Sequence, residues 1–423
     1  MPMSALLLIA YRSVVNRRVT ALLTVFSIAL SVTLFLGVEK IRSGAQTGFS
    51  NTVSGTDLIV GARSGALNLL LYSVFRIGDA TNNVTWESYE DIASRPEVAW
   101  AVPISLGDSH RGFRVMGTTA AYFDHYRTGD KQNLQFAAGK RFEDIFDVVL
   151  GSDVASELAY GLGEEIVIAH GIGSVSFAKH DNLPFRVVGI LERTGTPLDR
   201  TVHVKLEGIE AIHLGWSGGA APIGSRAPSA TDVRAADLEP VSVTAVFLGL
   251  NSRIAILTLQ RDINTYDEEA LMAIIPGVAL TQLWDVVGVA ELALSAIATF
   301  VILTGLLGLM TNVLTSLNER RREMAILRSV GAGASHVALL LVSESAFLAS
   351  AGALLGLCLV QILLAAAGPI IVEATGVFVG GLSVSSFDLI TVGAVITFAA
   401  VLAAFPAWRA YRQSLSDGLT IRV

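Results

Sequence analysis

Residues 292–332 read LALSAIATFVILTGLLGLMTNVLTSLNERRREMAILRSVGA. The run from Leu292 to Leu314 carries no charged residue. A helix rises about 1.5 Å per residue and the hydrocarbon core of a bilayer is about 30 Å thick, so about 20 mostly apolar residues make one crossing. A dense arginine cluster follows at once, Arg320, Arg321, Arg322 and Arg328, which marks the cytoplasmic end of a span because Lys and Arg are retained on that side. The reading is a membrane helix that emerges into the cytoplasm and continues as a short charged helix.

Working outward, the rest of the 423 residues agrees with a membrane class: 52% are hydrophobic and 16% charged, against roughly 25% charged in soluble proteins. Spans are predicted at 19–38, 289–317, 335–367 and 387–408. The first is preceded by Arg12, Arg17 and Arg18, but its apolar stretch exceeds the roughly 7 to 15 residues of a signal-peptide core, so it reads as an uncleaved anchor. Residues 1–18 suit an amphipathic helix in the headgroup plane. Arg409 and Arg412 follow the last span, in the tail 409–423, and the connection 368–386 contains no Lys or Arg. These placements agree on one topology, with both termini cytoplasmic.

The segment 39–288 then lies outside the cytoplasmic membrane, since long domains translocate regardless of charge. It is large enough to bury its own core and reads as an α+β domain of several sheets, with two subdomains as one division. Strands are expected at Val148–Leu150, Glu165–Ile168, Phe185–Leu191 and Val241–Leu248, and short helices from a Ser152 cap to Tyr160 and over Gly208–His213. Residues 213–240, rich in Gly, Ala, Ser and Pro, are expected to form a mobile loop.

Several chemistries are excluded. The phosphate-cradling G-x-x-x-x-G-K-[ST] pattern does not occur; Gly139-Lys140-Arg141 lacks the upstream glycine and the hydroxyl residue. The chain has one cysteine, Cys358, and its seven histidines show no metal-ligand spacing, so they read as surface or hydrogen-bonding residues. No G-x-S-x-G elbow is present. Basic residues form no stripe for nucleic acid. No catalytic residue, metal or cofactor is expected on this chain.

What stands out is 318–334. As a helix it sets Glu319 and Glu323 on one face, pairs Glu319 with Arg322 and Arg320 with Glu323 at i,i+3, and places Met324, Leu327 and Val330 on an apolar face. Gly331 and Gly333 supply a stop. Such a helix suits docking into a partner's groove; composition alone also allows a solvated juxtamembrane helix. In the third span, Ala349, Gly352, Ala353 and Gly356 form small-x-x-x-small patterns that let helices approach closely, a candidate pairing surface. Glu344 is an acidic residue inside a span, and two readings stand: a hydrogen-bonded structural glutamate near the helix start, or a coupling residue.

At these residues the chain resembles the MacB/FtsX-like permease family, which includes the lipoprotein-releasing Lol permeases. The run E-R-R-R-E-M-A-I-L-R-S-V-G-A is similar to that family's cytoplasmic signature, Ser343-Glu344-Ser345 to its early span-three glutamate, and Pro406-Ala407-Trp408-Arg409-Ala410 to its closing motif. Gly55–Gly61 and Phe185–Leu191 resemble the MacB-type periplasmic core. The resemblance implies an α-helical membrane protein with four transmembrane helices and a large extracytoplasmic α+β domain between spans 1 and 2, in the bacterial inner membrane. It further implies a permease subunit of an ABC transporter, with ATP and Mg held by a separate ATPase subunit. Glu319, Arg320, Glu323, Met324, Leu327, Arg328, Gly331 and Ala332 would form the ATPase-docking element. Two permease chains would pair, as a homodimer or a heterodimer, with a periplasmic adaptor or substrate-binding lipoprotein and membrane lipid as further partners. ATP-driven motion would pass to the external domain for efflux, lipoprotein release or other extraction. The alternative is an FtsX-like regulator that activates an external hydrolase or sensor without transporting a substrate.

Overall fold

The computed structural model describes residues 18–52, 55–128, 132–170, 178–179, 183–214, 233, 238–319, 326, 331–375 and 383–412. The expected interfacial helix before Arg18, most of the expected mobile loop 213–240 and the tail beyond Arg412 lie outside them. Two compact units divide the chain: residues 45–287 make up the first, and the helical segments within 1–44, 288–374 and 379–423 the second.

Among the described residues the first unit is built on one twelve-stranded sheet with two small two-stranded sheets. Its main path runs Leu271–Ile274, Leu58–Ala62, Ala245–Leu250, Val98–His110, Phe113–Thr118, Thr201–Lys205, Asp147–Leu150, Phe185–Leu191, Phe136–Gly139. Distant segments therefore share one ladder, a pairing that local propensity does not encode. Most pairs are antiparallel, while Thr201–Lys205 runs parallel to Phe113–Thr118 and Phe185–Leu191 parallel to Asp147–Leu150. The apolar run Leu58–Ala62 is buried on both faces and paired on both edges, as a central strand requires. Gly61 in it allows helix Ala66–Phe75 to close onto the sheet: a Cβ there would stand 2.5 Å from Leu69 Cδ1 and 2.7 Å from Tyr72 Oη.

Two local expectations change. Ser152 does not cap its helix: Gly151 is the N-cap, Ser152 lies inside the first turn with a buried, unpartnered Oγ, and the helix ends at Glu157. The reason is close packing, since a Cβ on Gly151 would stand 2.2 Å from the Leu198 carbonyl oxygen. Val241–Leu248 divides into two strands, Ser242–Val243 and Ala245–Leu250, which belong to different sheets. His203 is of the expected hydrogen-bonding kind and not a surface residue. It is wholly buried, its Nδ1 stands 3.3 Å from the Val149 carbonyl oxygen and its Nε2 has no partner. Burial, reinforced by the Arg76 charge, pushes its pKa from 6.5 down to about 3, so the ring is neutral at ordinary pH.

The second unit contains helical segments of Arg18–Thr52, Pro276–Glu319, Ala334–Thr375 and Ser386–Arg412. Among the described residues these four helices are long and apolar enough to cross a membrane. They outrun their apolar cores because the i to i−4 ladder continues whether side chains are apolar or polar. Pro276 begins the second helix, where its missing N–H costs nothing. The third continues through Pro369 to Thr375, so residues 368–375, read from sequence as external loop, are helical. A proline within a membrane helix is tolerated where neighbouring groups satisfy the freed carbonyl.

Candidate functional site

The helical unit is organised around its first helix. Over the apolar window of Arg18–Gly48, 44% is buried, against 6% for the second helix, 17% for the third and 33% for the fourth. Ile28, Val32 and Leu36 form the centre of a cluster with Leu306 and Leu309, Leu348 and Val360, and Val395 and Ala399. One helix thus packs on three others.

Polar contacts fix each of these packings. Ser31 Oγ donates to the Val301 carbonyl of the second helix at 3.2 Å, and Asn312 Nδ2 of that helix donates to Thr24 Oγ1 at 2.9 Å. Thr33 Oγ1 donates to the Gly356 carbonyl of the third helix at 3.1 Å. On the fourth, Asp388 accepts an ion pair from Lys40 at 2.9 Å, and Lys40 Nζ also donates to the Ser383 carbonyl at 2.8 Å. The Asp388 carboxylate accepts from Ser385 N–H at 2.9 Å, while Asp388 N–H donates to Ser385 Oγ at 3.2 Å. This reciprocal pair is a capping box that starts the fourth helix. Phe35 stacks on Phe387 beside it, ring centroids 6.0 Å apart.

The small residues of the third helix meet the first helix of the same chain. A Cβ on Gly352 would stand 2.8 Å from Ile28 Cβ and 2.9 Å from the Val25 oxygen; one on Gly356 would stand 2.7 Å from the Ala29 oxygen. Ala349 and Ala353 are wholly buried in the same cluster. Glu344 is half-buried next to buried Ser345, whose Oγ donates to the Leu341 carbonyl at 3.0 Å.

Of the expected docking element, Glu319 is the last residue of the second helix. Arg320, Glu323, Met324, Leu327 and Arg328 lie outside the described residues. Ile326 is helical and exposed, Gly331 has φ +100°, Ala332 is buried, and the third helix starts at Ala334, where His336 N–H donates to the Gly333 carbonyl. Among the described residues no group of His, Cys, Asp and Glu is arranged to hold a metal ion.

The Lys40–Asp388 pair was not singled out from sequence. Ser385-x-x-Asp388 at the head of an apolar run is itself a legible capping box, but nothing along the chain couples it to Lys40.

A family profile described as MacB-like periplasmic core domain matches residues 21–246, and one described as FtsX-like permease C-terminal matches residues 295–415. The chain is similar to the macrolide export ATP-binding/permease protein MacB of Azoarcus sp. (strain BH72), 23% identical over 348 residues that cover 79% of this chain and 48% of that protein. It is also similar to the protein of the same name from Nitrobacter winogradskyi, 24% identical over 367 residues covering 83% of this chain and 51% of that one. The chain spans about half the length of the curated relatives it matches. Solved structures with some likeness include the periplasmic region of MacB from Actinobacillus actinomycetemcomitans, with a TM-score of 0.35 and 11% identity, covering 55% of this chain and 94% of that one. Another is the extracellular domain of the noncanonic ABC-type transporter YknZ from Gram-positive bacteria, with a TM-score of 0.30 and 14% identity over 52% of this chain and 99% of that one. At those TM-scores neither superposition adds to the family match.

Proposed function

The chain belongs to the MacB/FtsX-like family of ABC-transporter permeases, and from that membership we propose that it converts ATP hydrolysis on a separate ATPase subunit into movement of its extracytoplasmic domain. The movement drives export or extraction of a substrate from the periplasm or the outer leaflet. ATP and Mg are bound by the partner, and the working unit pairs this chain with a second permease chain. Both termini and the segment 318–334 face the cytoplasm, where Glu319, Arg320, Glu323, Met324, Leu327, Arg328, Gly331 and Ala332 dock the ATPase.

The observation that carries this reading is the order of the two matches, a periplasmic core followed by an FtsX-like permease end, on a chain with four candidate spans. The packing of the first helix supports it. A helix held to three neighbours by side-chain hydrogen bonds and a buried ion pair moves with them as a body, because packed interfaces switch between discrete arrangements instead of deforming continuously. In sequence that helix leads directly into the external domain.

The test is purification of the full chain from its host in detergent, with identification of co-purifying ATPase subunits and assay of ATP hydrolysis. Wild type is compared with Glu323→Lys and Arg328→Glu. Retention of an ATPase by wild type and its loss from folded, inserted variants is the expected result. If wild type retains none, or both variants retain it fully, the docking assignment fails.

A further inference from the structure

The helix Arg18–Thr52, which carries the first candidate span, runs on into the external unit, to which residues 45–52 belong. Its last residue, Thr52, is 1% exposed. The final four carbonyls of a helix have no partner within it and form the negative end of its dipole, so a buried helix end needs a donor from elsewhere. Here the Thr52 carbonyl accepts from the hydroxyl of Tyr126, 74 residues further along the chain. Thr52 Oγ1 donates back to the Gly48 carbonyl at 2.7 Å, so the side chain closes the last turn while the backbone reaches outward.

Tyr126 is held from several sides. It is the C-cap of helix Ala121–His125, its N–H donating to the Tyr122 carbonyl at 2.9 Å. Its ring is buried in the core cluster of Ile59, Leu70 and Phe247, with ring centroids 4.8 Å from Tyr122 and 6.2 Å from Phe247. Phe247 lies in strand Ala245–Leu250, which pairs with Leu58–Ala62, the first strand after the helix. Burial pushes the phenol pKa up, so it keeps its proton. The nearby Arg76 charge acts in the opposite sense and polarises the O–H toward its acceptor.

The second long helix enters the same core by apolar contact: Ala279 and Leu280 are buried in it, and Leu283 and Trp284 pack against it. Among the described residues none of 45–52 belongs to an apolar cluster of the external unit. The first helix is thus fastened by a polar contact where the second is fastened by burial. We propose that Tyr126 is the positioning residue through which the first membrane helix moves the external unit, an inference that rests on the ATPase-coupling reading. The phenol connects the last carbonyl of that helix to a ring stacked on the central sheet. Without the hydroxyl, the Thr52 carbonyl is buried and unpaired unless the helix end frays toward water. Fraying releases the helix from the sheet while the packing of the ring remains.

The test is amide hydrogen exchange on the full chain with its co-purified ATPase in nanodiscs, with and without a non-hydrolysable ATP analogue, for wild type, Tyr126→Phe and Tyr72→Phe. Tyr72 is a second buried phenol of the same cluster and controls for loss of a core hydroxyl; thermal unfolding establishes that each variant is folded. Tyr126→Phe is expected to speed exchange over 45–52 by about two- to tenfold, the range that one net hydrogen bond allows, with strands Leu58–Ala62 and Ala245–Leu250 unchanged. It is also expected to abolish the nucleotide-dependent change in exchange of the external unit that wild type and Tyr72→Phe show. In the wild type alone, 45–52 and Ala245–Leu250 should lose protection together as urea is raised; earlier loss over 45–52 overturns the proposal whether or not the variant folds. No nucleotide response in the wild type overturns the coupling reading and the proposal together. A wild-type response that Tyr126→Phe transmits undiminished, or exchange over 45–52 equal to that of wild type, overturns the proposal alone.

Discussion

Lys40 of the first long helix and Asp388 in the first turn of the fourth stand 2.9 Å apart, with side chains only 9% and 1% exposed. Both ends of the pair are further committed, Lys40 to the Ser383 carbonyl and Asp388 to the Ser385 amide. Each charge therefore has its desolvation offset by more than one partner, the condition under which a buried pair holds.

Removing either member leaves the other charge buried alone. Lys40→Met and Asp388→Leu are each expected to destabilise the helical unit by about 3–5 kcal/mol, while the double replacement Lys40→Met/Asp388→Leu returns much of the loss. A double-mutant cycle on thermal unfolding in nanodiscs measures the coupling. Additive single losses would show that the pair carries no mutual stabilisation.

Gly356 and Gly308 offer a matched comparison within membrane-type helices. A Cβ on Gly356 would meet the Ala29 oxygen at 2.7 Å and Val32 Cβ at 2.9 Å, whereas one on Gly308 meets nothing within 4 Å. Gly356→Ala is expected to cost about 1–3 kcal/mol through forced separation of the first and third helices. Gly308→Ala is expected to stabilise by about 0.5–1 kcal/mol through helix propensity. Melting temperatures of the two variants should move in opposite directions.

The interhelical hydrogen bonds are worth less than the ion pair. Thr33→Val and Asn312→Leu each delete one bond to a neighbouring helix, and each is expected to cost about 0.6 kcal/mol, the usual value for such bonds in lipid. Equilibrium unfolding in mixed detergent micelles would resolve this from the larger effect at Lys40.

Acid should weaken the external unit through His203. Its pKa is about 3 when folded against 6.5 for the free side chain, so between those values the unfolded chain binds the proton and the folded one does not. The contribution is complete above pH 6.5 and is lost as pH falls toward 3; at pH 5 the loss is about 2 kcal/mol. Unfolding followed by tryptophan fluorescence should show a steeper fall from pH 7 to pH 5 for wild type than for His203→Leu. Parallel curves would exclude His203 as the source.

Much of the class was readable along the chain. A span is a property of about 20 consecutive residues, so Leu292–Leu314 announces itself without reference to any neighbour. Phe185–Leu191 and Val148–Leu150 were visible as apolar β-branched runs, and they lie in the strands Phe185–Leu191 and Asp147–Leu150. Ser152 misled because a cap depends on where the backbone enters the helix, and that point was set by contact between Gly151 and the Leu198–Asp199 carbonyls.

Hydropathy, charge beside apolar runs and short signatures such as Glu319–Ala332 are sums over neighbouring residues, and they sufficed to place this chain among the MacB/FtsX-like permeases. Folding alone settled which residues become partners: that Lys40 finds Asp388, that Gly352 and Gly356 accept the first helix of their own chain, and that the Tyr126 hydroxyl reaches the Thr52 carbonyl. The reason is that desolvation and close packing depend on which groups are brought within a few ångströms, and residues far apart in sequence carry no local mark of that meeting.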